Sequence, residues 1–263
     1  HLKRARIGPA CVSPSRLSPI DMAGSVALLD HLTDGRSYLG IARGAWLARH
    51  GIRELTPPIA AIRECVEVVN RLLSGIDDAY HGQVFQIEAG VRLPYSVRRT
   101  HVPILIGTWG HKLGALAGEI ADEVKLGGCA NPAMISVMAG WIAEGERITG
   151  RAAGSCGVVV GAVTLIDEDS RAAKQQVKRD LALYLPVVAT LDVTLQVEPD
   201  LLKRIEQLVA SNQRDAAAAL ISDDLLAKFA LVGSPAALLE HAQSLYAAGA
   251  CRVEFGTPHG LDA

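Results

Sequence analysis

Aromatic side chains are scarce in this chain: three Phe, three Trp and five Tyr among 263 residues. Ala, Val, Leu and Gly take their place, which suits one closely packed α/β domain of the barrel or doubly wound kind. Neither sign of charge dominates, with 26 Lys and Arg against 28 Asp and Glu. Net charge therefore marks out no nucleic-acid face and no membrane-surface patch, and any anionic ligand has to be held by a local site. The five cysteines, Cys11, Cys65, Cys129, Cys156 and Cys251, contain no C-x-x-C pair and no nearby histidine at metal spacing. That argues against a structural zinc and for a reduced, cytoplasmic protein. Apolar runs of bilayer length are missing, and the basic start at residues 1–6 leads into no signal-type apolar segment. The expectation is a protein neither secreted nor membrane-spanning.

What the chain does have is a dense passage at residues 103–128, PILIGTWGHKLGALAGEIADEVKLGG. Residues 104–106 are an apolar run, Gly107, Thr108, Trp109 and Gly110 make a turn, and Leu113, Leu116, Ala117 and Ile120 recur at helical spacing. Residues 124–126 are a second apolar run, so the passage reads strand, helix, strand. The first amides of a helix lack intrahelical partners and carry partial positive charge, so such a turn binds an anion such as phosphate, and glycine lets the backbone approach closely. A tight strand-to-helix turn with no ligand fits the same residues, and both readings are open at this point.

Along the rest of the chain, residues 5–13 (ARIGPACVS) read as a strand ending before Pro14. Ser18 as N-cap and Pro19 open a helix through Met22, Val26 and Leu29 that stops at Asp34 and Gly35, and strand 37–42 follows. Thr56 as N-cap and Pro57 in the first turn open a helix with Ile59, Ile62, Val66, Val69 and Leu73 on one face and Gly75 just past its end. Residues 80–99 read as an excursion with a hairpin around Glu88, Ala89 and Gly90. Asn131 and Pro132 cap a helix running to Gly150, and residues 157–166 (GVVVGAVTLI) form a long strand of the buried type. Residues 170–228 are helical, with breaks at Pro186, at Glu198 and Pro199, and at Ser222 and Asp223. Ser234 and Pro235 cap a last helix that ends at Gly249, before strand 251–255.

Strands alternating with helices predict a parallel sheet with helices outside it, and six such strands are found. A closed (β/α)8 TIM barrel takes eight strands and eight helices in roughly 250 residues. The pattern therefore predicts one barrel domain over 1–263, two strand-helix units short at the front and one helix short at the back.

Four stretches taken together carry a resemblance: ARIGPACVSPSRLSP at 5–19, GRSYLGIARGAW at 35–46, the 103–128 passage, and FALVGSPAALLEHAQSLYAAGACRVEFGTPHG at 229–260. They resemble the bacterial-luciferase-like superfamily, and within it the branch that uses the deazaflavin coenzyme F420, similar to methylenetetrahydromethanopterin reductase. The resemblance covers most of the chain in the right order. It implies a luciferase-like (β/α)8 barrel with the cofactor across the C-terminal ends of the strands, where barrel enzymes keep their chemistry. It also implies a bulge with a non-prolyl cis peptide between Cys11 and Val12, next to Ser13, bracing the back of the deazaflavin ring. Gly107, Thr108, Trp109 and Gly110 would take the cofactor phosphate, with His111 and Lys112 opening the helix. Gly127 and Gly128 would line the same groove, and Gly44 and Trp46 would border the ring.

The implied activity is that of an F420-dependent oxidoreductase passing hydride between the deazaflavin and an organic substrate, with a homodimer as the assembled form. An FMN-dependent monooxygenase is the alternative within the superfamily. A truncated barrel without catalysis, serving as a binding or assembly partner, is the alternative from another class. On the substrate side stand Arg43 and His259. Arg43 either pairs with an acidic substrate or cofactor tail or is a solvated loop cation; His259, beyond the last strand, either serves ligand binding and proton transfer or stabilises its turn. Some members that oxidise sugar phosphates carry a glutamate where Ala45 stands, so that substrate does not carry over. Asp21, Asp30, Asp34 and His31 read as solvated helix charges, and no metal site is expected. The family's first two strands, which supply much of the substrate pocket, have no counterpart before His1; the expectation is that the natural protein starts further upstream.

Overall fold

The computed structural model describes residues 3–256, and His259 lies outside the described residues. These residues pack as two units: one runs to Val124 and takes in Trp141–Cys156, and the other holds Lys125–Gly140 and the chain from Gly157 on.

In the first unit, helix α1 (Pro19–Leu32) starts where the sequence places it: Ser18 Oγ accepts from the amide of Asp21 at 3.1 Å, and proline occupies the first turn. It ends through Thr33, with Asp34 and Gly35 both at positive φ. Strand β1 (Leu39–Ala42) pairs in parallel with β4 (Ile104–Gly107), from Leu39 opposite Ile104 to Ala42 opposite Gly107. Between them lie α2 (Pro58–Leu73) and a small antiparallel hairpin, β2 (Tyr80–His81) with β3 (Gln86–Ile87). Helix α2 turns Ile62, Val66, Val69 and Leu73 inward, each at most 1% exposed. Helix α3 (His111–Ile120) leads to β5 (Glu123–Gly127), which begins beside β4: the Asp122 amide donates to Ile104 O and the Asp122 carboxylate accepts from Ile104 N.

Three expectations are corrected here. Residues 5–13 are not a continuous strand but run beside residues 37–42 with two isolated bridges, Ile7 with Ser37 and Val12 with Ile41. The N-cap of α2 is Pro57 rather than Thr56, and the Thr56–Pro57 bond is cis. The hairpin turns at 82–85 rather than around Gly90, because the buried Glu64 on α2 gathers the amides of Gln83, Val84 and Phe85 at 2.8, 2.8 and 2.9 Å. A turn fixed by a carboxylate from another helix leaves little trace in its own residues.

In the second unit the long strand β6 (Gly157–Ile166) is central. Its second half pairs in parallel with β7 (Ala230–Gly233) and its first half in parallel with β8 (Ala250–Gly256). Helices α5 (Ser170–Ala182), α6 (Leu185–Leu191), α7 (Pro199–Ala210), α8 (Arg214–Ala219) and α9 (Asp223–Phe229) lie between β6 and β7, and α10 (Pro235–Ala247) joins β7 to β8. Helix α4 (Pro132–Thr149) runs from this unit back to the first. Pro186 does not break the helical run. It sits in the first turn of α6, where a missing N–H costs nothing, and the break precedes it. Strand β7 was not expected: its four residues follow α9 with no intervening turn residue.

Candidate active site

The chain bulges where residues 5–13 meet β1. Pro9 O accepts from Gly40 N and Gly40 O accepts from Val12 N, both at 2.9 Å, so Pro9 and Val12 share one partner and two residues, Ala10 and Cys11, stand where a regular ladder has one. The non-prolyl cis peptide lies within that insertion, at Ala10–Cys11, one bond upstream of the expected Cys11–Val12. Val12 cannot be part of it in this register, because it has already rejoined the ladder: the Ala42 amide donates to Val12 O at 2.9 Å. Gly40 is required opposite the bulge, since a Cβ there would stand 2.2 Å from Pro9 O.

Contacts fan out from this bulge. Cys11 is exposed, and its Sγ lies 2.9 Å from where a Cβ on Gly107, at the end of β4, would be. Ser13 is buried; its hydroxyl donates to Arg43 O at 2.6 Å and accepts from the Ser15 amide at 3.2 Å. Gly44 has φ +100, and a Cβ on it would meet Ser13 Oγ at 3.0 Å and Leu47 Cδ2 at 2.9 Å. The bulge, the C-terminal end of β1 and the C-terminal end of β4 thus converge on one spot.

The turn after β4 is simple. Thr108 Oγ1 accepts from the Gly110 amide at 3.0 Å, Gly110 is the N-cap with an extended backbone, and α3 has neither a side-chain cap nor an acidic residue in its first turn. A helix start left open in this way has orphan amides and a positive dipole end, which favour an anion. Lys112 is exposed and none of the described residues pairs with it, whereas His111 is engaged, its Nε2 2.7 Å from Glu144 Oε2 and its ring tilted over Trp141 at 5.3 Å. Thr108 and Trp109 are half-buried.

Of the expected substrate-side residues, Arg43 forms an ion pair with Glu54, Nε to Oε1 at 2.7 Å, and Trp46 is 51% exposed in the left-handed region at φ 52. In the second unit, Gly128 (φ +78) follows Gly127, and the amides of Gly128 and Cys129 both donate to Gly161 O, at 2.6 and 3.2 Å. This loop is further fixed by Lys228 O accepting from Ala130 N, His241 Nε2 donating to Ala130 O, and the Asn131 amide group donating to Asp192 and Thr194. Sequence reasoning missed Glu54, Glu144, Asp192 and His241, whose partners lie 11 to 111 residues away in the chain.

Asp30 is corrected from a solvated helix charge to a buried one. It is 1% exposed and held by both Arg99 and the Ser37 hydroxyl; burial works against its charge, but these partners outweigh it and keep the carboxyl below its usual range. Among the described residues no group of His, Cys, Asp and Glu side chains could hold a metal ion, and no helix is long and apolar enough to cross a membrane.

The donor set fits a flat ring with an anionic tail. The exposed part of the bulge carries the small side chains of Ala10 and Cys11, the missing Cβ of Gly107 lets Cys11 seat against the end of β4, and the open start of α3 with Lys112 supplies positive charge.

Parallel strands with helical crossovers, and site residues at the C-terminal ends of β1 and β4, place the chain in the (β/α)8-barrel class. It belongs to the luciferase-like monooxygenase family, whose pattern matches residues 3–252. Its sequence is 26% identical over 277 residues to a 5,10-methylenetetrahydromethanopterin reductase of Methanopyrus kandleri, covering 98% of this chain and 78% of the relative. Among solved structures, the coenzyme F420-dependent tetrahydromethanopterin reductase from Methanopyrus kandleri superposes with a TM-score of 0.83 at 23% identity, over 98% of this chain and 78% of that one. An F420-dependent secondary alcohol dehydrogenase, solved with an F420-acetone adduct, gives 0.75 at 17% identity over 96% and 74%. The expected fold and family stand.

Proposed function

We propose that this protein is an F420-dependent oxidoreductase that transfers hydride between the deazaflavin and a small organic substrate. The observation that carries the reading is the junction of the Cys11 bulge with Gly107 and the uncapped start of α3, a place for a ring and an anion side by side. The relatives named for F420 support the choice of cofactor. When bound, F420 supplies the hydride chemistry, and the protein supplies binding and orientation. The first amides of α3 and the Lys112 ammonium hold the anionic tail. The segment Ala10, Cys11 and Val12 backs the ring, and Ser13 keeps that segment in place by its bond to Arg43 O. Arg43 is bound to Glu54 and acts as a loop fastener. We further propose a cytoplasmic homodimer; five cysteines outside any disulfide support a reducing compartment, and the dimer rests on the family resemblance.

Titration of the full chain with F420, followed by the absorbance of the cofactor, and with FMN in parallel, tests the reading. F420 should saturate a single site, and Gly110→Asp should weaken it at least tenfold by placing a carboxylate against the tail. Unchanged affinity in that variant would put the anion elsewhere. Preference for FMN would replace the reading with that of a flavin monooxygenase.

A further inference from the structure

Residues 43–55 form a closed loop on the C-terminal end of β1. Its two ends are tied together by the Arg43–Glu54 pair, and both are stitched to the bulge segment, through Ser13 Oγ to Arg43 O at 2.6 Å and through the Leu55 amide to Ser15 Oγ at 3.1 Å. Leu47, 7% exposed, anchors its centre at the head of a short 3-10 helix, Leu47–His50. On this fastened frame sits Trp46, with φ 52 and ψ 27. A bulky residue is rarely found in the left-handed region, since its Cβ crowds the following carbonyl, and where one persists it points to function before packing. Packing does not account for Trp46: half of it faces solvent, and no hydrogen bond or ring contact holds its indole side chain among the described residues.

Charge supplies a second, independent observation. The loop carries Arg43, Arg49 and Arg53 against the single acid Glu54. Glu54 is consumed by Arg43, and none of the described residues pairs with Arg49 or Arg53, both of them exposed. The Arg49 amide donates to Trp46 O at 3.0 Å, so the backbone of Arg49, a residue with no acidic partner among the described residues, stands one turn on from that of Trp46. An exposed indole face stacks on planar rings, and unpaired arginines beside it favour a negative substituent.

We propose that the loop at residues 43–55 is a ligand-binding element that takes a planar aromatic ring carrying a carboxylate or similar anion, with Trp46 as the stacking platform and Arg49 and Arg53 as the charge complement. As a statement of substrate class it rests on the oxidoreductase reading, because the loop borders the Cys11 bulge; as a binding site it stands apart from that reading.

The full chain labelled with 5-fluorotryptophan gives three fluorine resonances, one for each tryptophan, and Trp46→Phe assigns that of Trp46. Naphthalene-2-carboxylate should shift the Trp46 signal saturably and leave those of Trp109 and Trp141 in place. The neutral 2-naphthamide should bind at least tenfold more weakly, and Arg49→Gln with Arg53→Gln should erase that preference. Trp46→Asn, which suits a left-handed backbone, should melt no lower than the parent and lose the binding seen by calorimetry. Equal affinity for acid and amide, an unmoved Trp46 signal, or a clearly lower melting temperature for Trp46→Asn would each overturn the proposal. F420 titrated into the same samples separates the two readings: a Trp46 response without F420 binding removes the cofactor assignment and keeps the loop site, and the converse removes the loop site alone.

Discussion

A Cβ on Gly145 would stand 1.8 Å from the carbonyl oxygen of Ala115, so helices α4 and α3 approach as closely as backbones allow. The contact is reciprocal, because a Cβ on Gly118 would lie 2.0 Å from Ile142 O. Around it, Glu144 grips His111 at the start of α3, and Arg151 donates to Gly118 O and Ala121 O at its end. The helix whose first turn is the proposed anion site is thereby held along its whole length. Gly145→Ala should cost about 3 kcal/mol, since a backbone cannot step aside as a side chain can. Gly140→Ala, in the same helix with nothing within 4 Å, should instead gain about 0.5–1 kcal/mol. Thermal melts of the two variants check the contrast.

Glu64 governs the hairpin. Its buried carboxylate accepts three backbone amides, and neighbouring Glu67 accepts the Tyr80 hydroxyl at 2.6 Å. Glu64→Gln turns an acceptor into a donor facing amides, which should cost about 2–3 kcal/mol. Hydrogen exchange should then accelerate at Gln83, Val84 and Phe85 and stay unchanged in β6.

Asp223 sets an acid-stability window. Hydrogen bonds from Lys174 at 2.8 Å and Lys178 at 2.7 Å lower its pKa to about 2. A folded pKa below the unfolded value of about 3.9 means the pair contributes fully above that value and is lost as pH falls towards about 2. An NMR titration should place the midpoint near the lower figure. Asp223→Asn should flatten the fall in melting temperature between about pH 4 and 2, and salt should reduce the effect because the carboxylate is more than half exposed.

Thiol reactivity should divide the cysteines two and three. Cys11 and Cys251 are exposed, while Cys65, Cys129 and Cys156 are buried. Burial pushes the Cys65 and Cys129 thiols up to about 12. At pH 8 a disulfide reagent should titrate two thiols in the native protein and all five in guanidinium.

Elements whose signals are local were legible in the sequence. Ser18, Asn131 and Ser234 cap α1, α4 and α10 where read, and β6 runs over 157–166 as expected. What was missed is written across the chain instead. The hairpin turn belongs to Glu64, some twenty residues earlier; Asp30 is buried because Arg99 reaches it over 69 residues; and the bulge register follows from Gly40 serving both Pro9 and Val12. For the candidate site the turn from Gly107 to Gly110 was readable as glycine punctuation. The engagement of His111 by Glu144 and of Arg43 by Glu54 was not, since either side chain could have remained solvated.

Because the Arg43–Glu54 pair joins the loop's two ends at its base and Leu47 is its buried anchor, the exposed residues between these points stand apart from the strands. Closing a somewhat longer or shorter segment on the same clasp changes its entropy by only a few tenths of a kcal/mol. The region is therefore an interchangeable cassette: swapping it for segments of other composition offers a route to new ligand preferences with the α/β scaffold left intact.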